Sequence, residues 1–180
     1  IPLAEELDGV ILNADSRQVY NELLIGTARP TAEQLARVRH EFVATRSIHD
    51  RWTAGDFARE CRMKIDEVML EGKLPLIVGG SMLYLRALMD GFYETDAEPE
   101  IDYVPLREEW DRRGSEEMYN ELCAIDPETA ARTQREDHHR ILRALGVYRA
   151  LGETLSGLQA RKCAGLGHPF RLYFLHGDRA

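Results

Sequence analysis

The sequence predicts an α/β protein built on a parallel sheet, and three observations carry that prediction. Two short runs, "VILNA" at 10–14 and "LPLIV" at 74–78, are apolar but for Asn13, as strands covered on both faces are. Each ends in turn chemistry, Asp15-Ser16 after the first and Gly79-Gly80-Ser81 after the second, and a helical pattern follows each. Strand, helix, strand, helix in that order calls for parallel pairing through helical crossovers. Beyond Pro99 the periodicity is helical only, so a second, all-helical part is added to the sheet.

The elements follow in order. Residues 3–7 read as a helix end that stops at Asp8-Gly9. The first buried strand occupies 10–14. "GTARPT" at 26–31 is a loop, because Pro30 pushes Arg29 out of helical geometry. "PTAEQLARV" then starts a short helix. Thr53 and Asp56 have capping-box spacing and open a helix with Phe57, Cys61, Ile65, Val68 and Met69 on its apolar side, ending at Gly72. The second strand, 74–78, turns at 79–81 into the helix "MLYLRALM". Four helices are predicted next, at 104–113, 115–124, 127–134 and 138–151. Asp126-Pro127 supplies an N-cap and first-turn proline, and Gly152 a stop. "FRLYFL" at 170–175 reads as a strand returning to the sheet. The division expected is an α/β core of 1–95 with 138–180 and a helical insertion at 96–137.

The bulk numbers restrict the function classes. A chain of 180 residues suits one domain of ordinary size with an insertion. No apolar run approaches the roughly 18 residues of a membrane span, and no signal peptide is visible. Cys61, Cys123 and Cys163 are odd in number and unpatterned, which argues for reduced thiols in a cytoplasmic protein rather than disulfides or a zinc site. A formal charge of −8 speaks against wholesale nucleic-acid binding. Locally the sign reverses: 132–149 holds five arginines and two histidines against Glu136 and Asp137, whereas "YETDAEPEIDY" at 93–103 is acidic and linker-like. The chain opens inside an apparent helix end at Ile1, so a fragment is expected.

Parallel sheets bind ligands at the carboxyl ends of their strands. Asp15 and Ser16 stand at one such end, and two readings stay open: an Asx turn or cap, or a reactive carboxylate. Gly79-Gly80-Ser81 is either a tight turn or a helix start whose Ser81 hydroxyl faces a phosphate or a base. No G-x-x-x-x-G-K-[ST] loop occurs. In "DHHRILRALGVY" His139, Arg140 and Arg143 share one helical face and Ile141, Leu145 and Tyr148 the opposite one. The basic face is either merely solvated or suited to phosphate, for which the guanidinium is a matched fork. His40, His49, His168 and His176 lack metal-ligand spacing and read as surface histidines.

The order of the motifs is more specific than any one of them. "ADSRQVY", "IGTARP", "TAGDF", "GKLPLIVGGSMLYLRAL", "DPETAAR" and "RILRALGVYRALGETLS", collinear from 4 to about 159, resemble the tRNA dimethylallyltransferases, or tRNA isopentenyltransferases. The resemblance implies a P-loop-kinase-like parallel sheet core with a helical insertion that embraces the anticodon stem-loop. It implies transfer of a dimethylallyl group from its diphosphate to N6 of the adenosine next to the anticodon. Asp15 is then the general base, while Ser16, Arg17 and Gln18 hold the tRNA base. Ser81 contacts tRNA, His139, Arg140, Ile141, Leu142 and Arg143 grip its backbone, and Thr27 meets the diphosphate. Mg2+ is the implied cofactor, and the implied partners are the tRNA anticodon stem-loop and dimethylallyl diphosphate, with no membrane and the protein a monomer. The family's diphosphate-binding P-loop is expected before Ile1 and its C-terminal helical part after Ala180. Departures are small: "GTARP" for "GTAKP", "GGS" for "GGT", His40-Glu41 for a pair of histidines, and Gly146 for a common Glu. Two other readings stay beside this one, an isopentenyltransferase acting on free adenine nucleotides and a non-catalytic tRNA-binding remnant.

Overall fold

The computed structural model describes residues 1–91, 101–161 and 165–175. They form two compact units, 1–91 with 165–175 and 101–161.

In the first unit α1 (Pro2–Glu6) leads into β1 (Gly9–Asn13), followed by α2 (Ala32–Arg37), β2 (His40–Glu41), α3 (Ala54–Leu70), β3 (Leu74–Val78) and α4 (Met82–Asp90). The sheet is parallel in the order β2-β1-β3. As the strand in the middle, β1 is covered on both sides. Val10 and Leu12 join the α3 and α4 core with Phe57, Cys61, Val68 and Leu88, while Ile11 packs with Ala4 and Val38 on the other face. That double cover is why its sequence is apolar without alternation.

Both α2 and α3 start in complete capping boxes, Thr31 with Gln34 and Thr53 with Asp56. Each box satisfies two N–H groups that a helix start leaves without partners. Of the apolar residues expected on α3, Met69 is the exception. It is 46% exposed, one step beyond the buried stripe that ends at Val68. The two-residue β2 is too short for any periodic signal, and its register is set by β1, with Ile11 opposite His40.

The expected strand at 170–175 is corrected: no strand forms there, and Phe170, Leu172, Tyr173, Phe174 and Leu175 are exposed. A strand needs a neighbour's backbone to pair with. The segment is tied to the backbone of the sheet unit upstream of this stretch, where the Leu166 N–H donates to the Met89 carbonyl.

The second unit is helical: α5 (Val104–Ile125), α6 (Pro127–Ala131), α7 (His138–Leu151) and α8 (Leu155–Ala160). The predicted 104–113 and 115–124 helices are the two halves of α5, broken at Gly114, whose φ of 79° is left-handed. Asp126 ties three pieces together, since its carboxylate accepts from the Thr129 N–H, the Thr129 hydroxyl and the Ser156 N–H. Helix α7 ends at Gly152 in the left-handed conformation, as expected. Helix α8, capped by Thr154, is additional to the helices that the sequence predicts.

The expected boundary at 138 is also corrected. Ile141, Leu142, Ala144, Leu145 and Val147 of α7 share one core with Leu106, Met118 and Leu122 of α5 and Leu158 of α8, so 138–161 belongs to the helical unit. Tyr148, expected on the apolar face, is 37% exposed. At Gly146 a Cβ would lie 2.8 Å from Ile101 Cγ2 and 3.1 Å from Leu106 Cδ1, so the glycine admits the incoming 101–106 segment. A four-charge box closes one side: Arg113 bridges Glu109 and Glu121 across the Gly114 break, and Arg149 of α7 pairs with both carboxylates. No helix among the described residues is long and apolar enough to cross a membrane.

Candidate active site

The parallel register puts Asn13 opposite Val78, so β1 and β3 leave the sheet at the same level and their turns are neighbours. The Ala14 N–H extends the ladder to the Val78 carbonyl at 2.7 Å, and the Ser81 N–H returns to the Ala14 carbonyl at 3.1 Å. At Gly79 an added Cβ would sit 2.2 Å from the Ala14 carbonyl oxygen, a contact no side chain tolerates.

On this frame Asp15 folds its own turn. Its Oδ1 accepts the N–H groups of Arg17 at 2.8 Å and Gln18 at 3.2 Å, the geometry of an Asx turn. Its Oδ2 has no hydrogen-bond partner among the described residues. The two readings of Asp15 are therefore compatible, one oxygen fixing the turn and the other open to chemistry. The Ser16 N–H donates to Ser81 Oγ at 2.8 Å. Arg17 is exposed. Gln18 donates its amide to the carbonyls of Thr27 at 2.9 Å and Ala28 at 3.3 Å, which ties the "GTARP" loop to the turn. Arg29 adds a bond to the Asn21 carbonyl at 3.2 Å, and the Thr27 hydroxyl donates to the Leu23 carbonyl. Asp15, Ser16, Arg17, Gln18, Thr27 and Ser81, scattered over 67 positions counted inclusively from 15 to 81, thus form one cluster.

Gly79 stands in the turn that the sequence predicts, although its close approach to Ala14 does not show there. One residue beside the cluster escapes the sequence reading, Tyr84, three residues after Ser81 and so on the same face of α4. It is 6% exposed and stacks on Phe57 at 4.5 Å between ring centroids, and Phe57 in turn meets the edge of Phe42. Burial pushes the Tyr84 hydroxyl up to about 12, with Tyr20 and Asp15 nearby acting in the same direction. The spacing from Ser81 is the available signal, but an aromatic residue in a helix reads as core from sequence alone.

In the helical unit, Asp137 caps α7 by accepting the Arg140 N–H at 3.1 Å, and its other oxygen lies 3.3 Å from Arg140 Nε. His139, Arg140 and Arg143 are exposed, with the His138 ring between His139 and Trp110. Ile141 and Leu142 are corrected: at 0% and 2% exposure they are core residues, with no side-chain surface to offer an RNA. Among the described residues no three His, Cys, Asp or Glu side chains are placed to hold a metal ion.

Residues 18–180 match the family model described as IPP transferase. The chain belongs to the IPP transferase family. It is 42% identical over 161 residues to tRNA dimethylallyltransferase 1 of Citrifermentans bemidjiense, a match covering 89% of this chain and 51% of that protein. It is 40% identical over 157 residues to the tRNA dimethylallyltransferase of Salinibacter ruber, covering 85% and 47%. The crystal structure of the full-length tRNA isopentenylpyrophosphate transferase from Bacillus halodurans aligns at 32% identity with a TM-score of 0.50, over 84% of this chain and 50% of that one. A eukaryotic dimethylallyltransferase solved while acting on tRNA aligns with a TM-score of 0.72 over 91% of this chain and 41% of that one; at 24% identity this is a likeness of fold. The chain spans about half the length of the curated relatives it matches. The parallel α/β sheet with an added helical part is the fold of this family.

Proposed function

We propose that the protein carrying this chain transfers a dimethylallyl group from dimethylallyl diphosphate to N6 of the adenosine adjacent to the anticodon of a tRNA, with Asp15 as the general base. The observation that carries this reading is the Asp15 carboxylate at the end of β1, fixed by Oδ1 and open at Oδ2. An exocyclic amine is a weak nucleophile, and a carboxylate within hydrogen-bond reach both aims it and removes its proton. The new bond joins N6 to the allylic carbon, the carbon–oxygen bond to diphosphate breaks, and the amine proton passes to Oδ2. The adenine must leave its stack first, which costs a few kcal/mol and least in a loop.

Ser16 and Arg17 follow the carboxylate and are the side chains proposed to hold the base, with Gln18 contributing through its side-chain Oε1 while its amide nitrogen ties the Thr27 loop. Thr27 meets the diphosphate in this scheme. His139, Arg140 and Arg143 supply phosphate contacts, because exposed arginine forks match phosphate geometry. Mg2+ commonly takes one or two carboxylates together with substrate phosphates, and any magnesium in this scheme is proposed to enter with the diphosphate. Such a reaction belongs in the cytoplasm, where tRNA is found.

The experiment is a transfer assay with protein expressed from its whole reading frame, labelled dimethylallyl diphosphate, and either an anticodon stem-loop with adenines after the anticodon or AMP. Label on the stem-loop and none on AMP is the expected result. Label on AMP alone moves the protein to the free-nucleotide enzymes, and stem-loop binding without any transfer makes it a tRNA-binding remnant.

A further inference from the structure

We infer that Ser81 and Gly79 are positioning residues for Asp15, a clamp from the neighbouring strand end that sets where its free oxygen points. The inference deepens the transfer reading and rests on it.

Ser81 is the N-cap of α4, and an N-cap hydroxyl ordinarily accepts an N–H from the first turn of its own helix. Ser81 makes no such bond. Its hydroxyl instead accepts the Ser16 N–H at 2.8 Å, from a residue 65 positions earlier. Its own N–H donates to the Ala14 carbonyl at 3.1 Å. One residue therefore grips the backbone immediately before and immediately after Asp15. Gly79 permits the grip, because any Cβ there would stand 2.2 Å from the Ala14 oxygen and 2.3 Å from its carbon. The Asx turn fixes Oδ1 relative to the turn; Ser81 fixes the turn relative to the sheet. Oδ2 inherits its direction from both. The three parts lie in the short turns that leave β1 and β3 and enter α4, and those three elements are packed in the sheet and its core. A displacement of about 1 Å in a reacting group can cost on the order of a hundredfold in rate.

The test uses protein from the whole reading frame, with Ser81→Ala, Ser81→Thr and Ser81→Cys alone and Ser81→Ala combined with Asp15→Asn. Single-turnover transfer to the stem-loop, stem-loop affinity, and hydrogen exchange at the Ser16 amide are measured. Ser81→Ala is expected to lower the transfer rate by about a hundredfold with affinity little changed. Ser81→Thr restores most of the rate, and Ser81→Cys, which keeps the volume but is only a weak acceptor, loses rate in the same direction. In the Asp15→Asn background Ser81→Ala adds little further loss, since a clamp has nothing left to position. The Ser16 amide exchanges faster in Ser81→Ala while the Leu12 amide keeps its protection, which shows the sheet intact. Weakened stem-loop affinity with an unchanged bound rate would overturn the inference and make Ser81 an RNA contact. Independent, multiplying losses in the double variant would overturn it too. If the parent protein transfers no label to RNA, the functional reading fails separately; the Ser16 amide then decides the clamp, upheld by faster exchange in Ser81→Ala and overturned by unchanged exchange.

Discussion

Asp15 and Asn differ by one proton acceptor, and that difference separates the roles of its two oxygens. Asn keeps an oxygen for the Arg17 and Gln18 N–H groups, so the turn survives. It offers no basic oxygen to the amine. Asp15→Asn is therefore expected to fold and bind stem-loop RNA normally while single-turnover transfer falls by roughly a hundred- to ten-thousand-fold; near-normal transfer would remove Asp15 from the base role. Gly79 makes the complementary case at the same scale. Gly79→Ala drives a methyl into the Ala14 carbonyl, a backbone clash that no rotamer relieves. The expected cost is about 1–3 kcal/mol, as for other overpacked sites, read as a lower urea midpoint. Asp15 is legible in the sequence because a carboxylate after an apolar run stands out. Gly79 is not, because its need for glycine depends on a partner strand that only the fold brings near.

Helix α7 joins two unlike surfaces, a core stripe and a basic face, and the sequence separates them well at its first turn and poorly elsewhere. His139, Arg140 and Arg143 are exposed as the periodicity predicts, whereas Leu142 and Val147 are buried because α5 and α8 widen the stripe. Replacing Arg140 and Arg143 with Ala is expected to weaken stem-loop binding and to reduce its salt slope by about one for each phosphate that is no longer neutralised. Titration at several salt concentrations reads that slope, and an unchanged slope would leave the face merely solvated. The charge box concerns α5 and α7 together. The Arg149 and Arg113 guanidinium groups hold the Glu109 carboxyl well below its ordinary 4.5, at about 2. A depressed carboxylate stabilises the folded state above its unfolded value and loses that contribution as pH falls through the folded one. Thermal melts should thus show Glu109→Gln less stable than the parent near neutrality, with the gap closing between about pH 4.5 and about pH 2. A gap that is constant over that window would show that the box contributes nothing through Glu109 ionisation.

At the scale of the whole molecule, the sequence conveys fold class and most elements but misplaces one boundary and one strand. The parallel sheet is legible because β1 is buried on both faces and reads as an apolar run from Val10 to Leu12 without alternation. The strand at 170–175 fails for the opposite reason: apolar composition alone does not supply a pairing partner. The boundary at 138 fails because membership of a unit is decided by packing between α7 and α5, which are distant in sequence. The helical unit has a core entirely of its own, so 101–161 expressed alone is expected to give helical circular dichroism with a cooperative melt. A unit that short is marginal, and Leu122→Ala, which empties a fully buried site at a cost of about 2–5 kcal/mol, should abolish the melt. A helical signal without cooperativity in the parent segment would show that the core does not suffice.

The in-register pairing of β1 with β3 also bears on which changes of length the protein can accept. Residues 9–13 and 74–78 run side by side as five matched pairs, and their far ends deliver Asp15 and Ser81 to one another. One residue inserted into either strand would carry its turn about 3.3 Å past its neighbour and turn every later side chain to the wrong face of the sheet. The same insertion at Asn21 or Asp50, in surface loops, moves nothing in that pair. The spacing between the proposed base and its clamp is thus written in strand lengths, and a family sharing this chemistry should vary in its loops while keeping these two strands the same number of residues long.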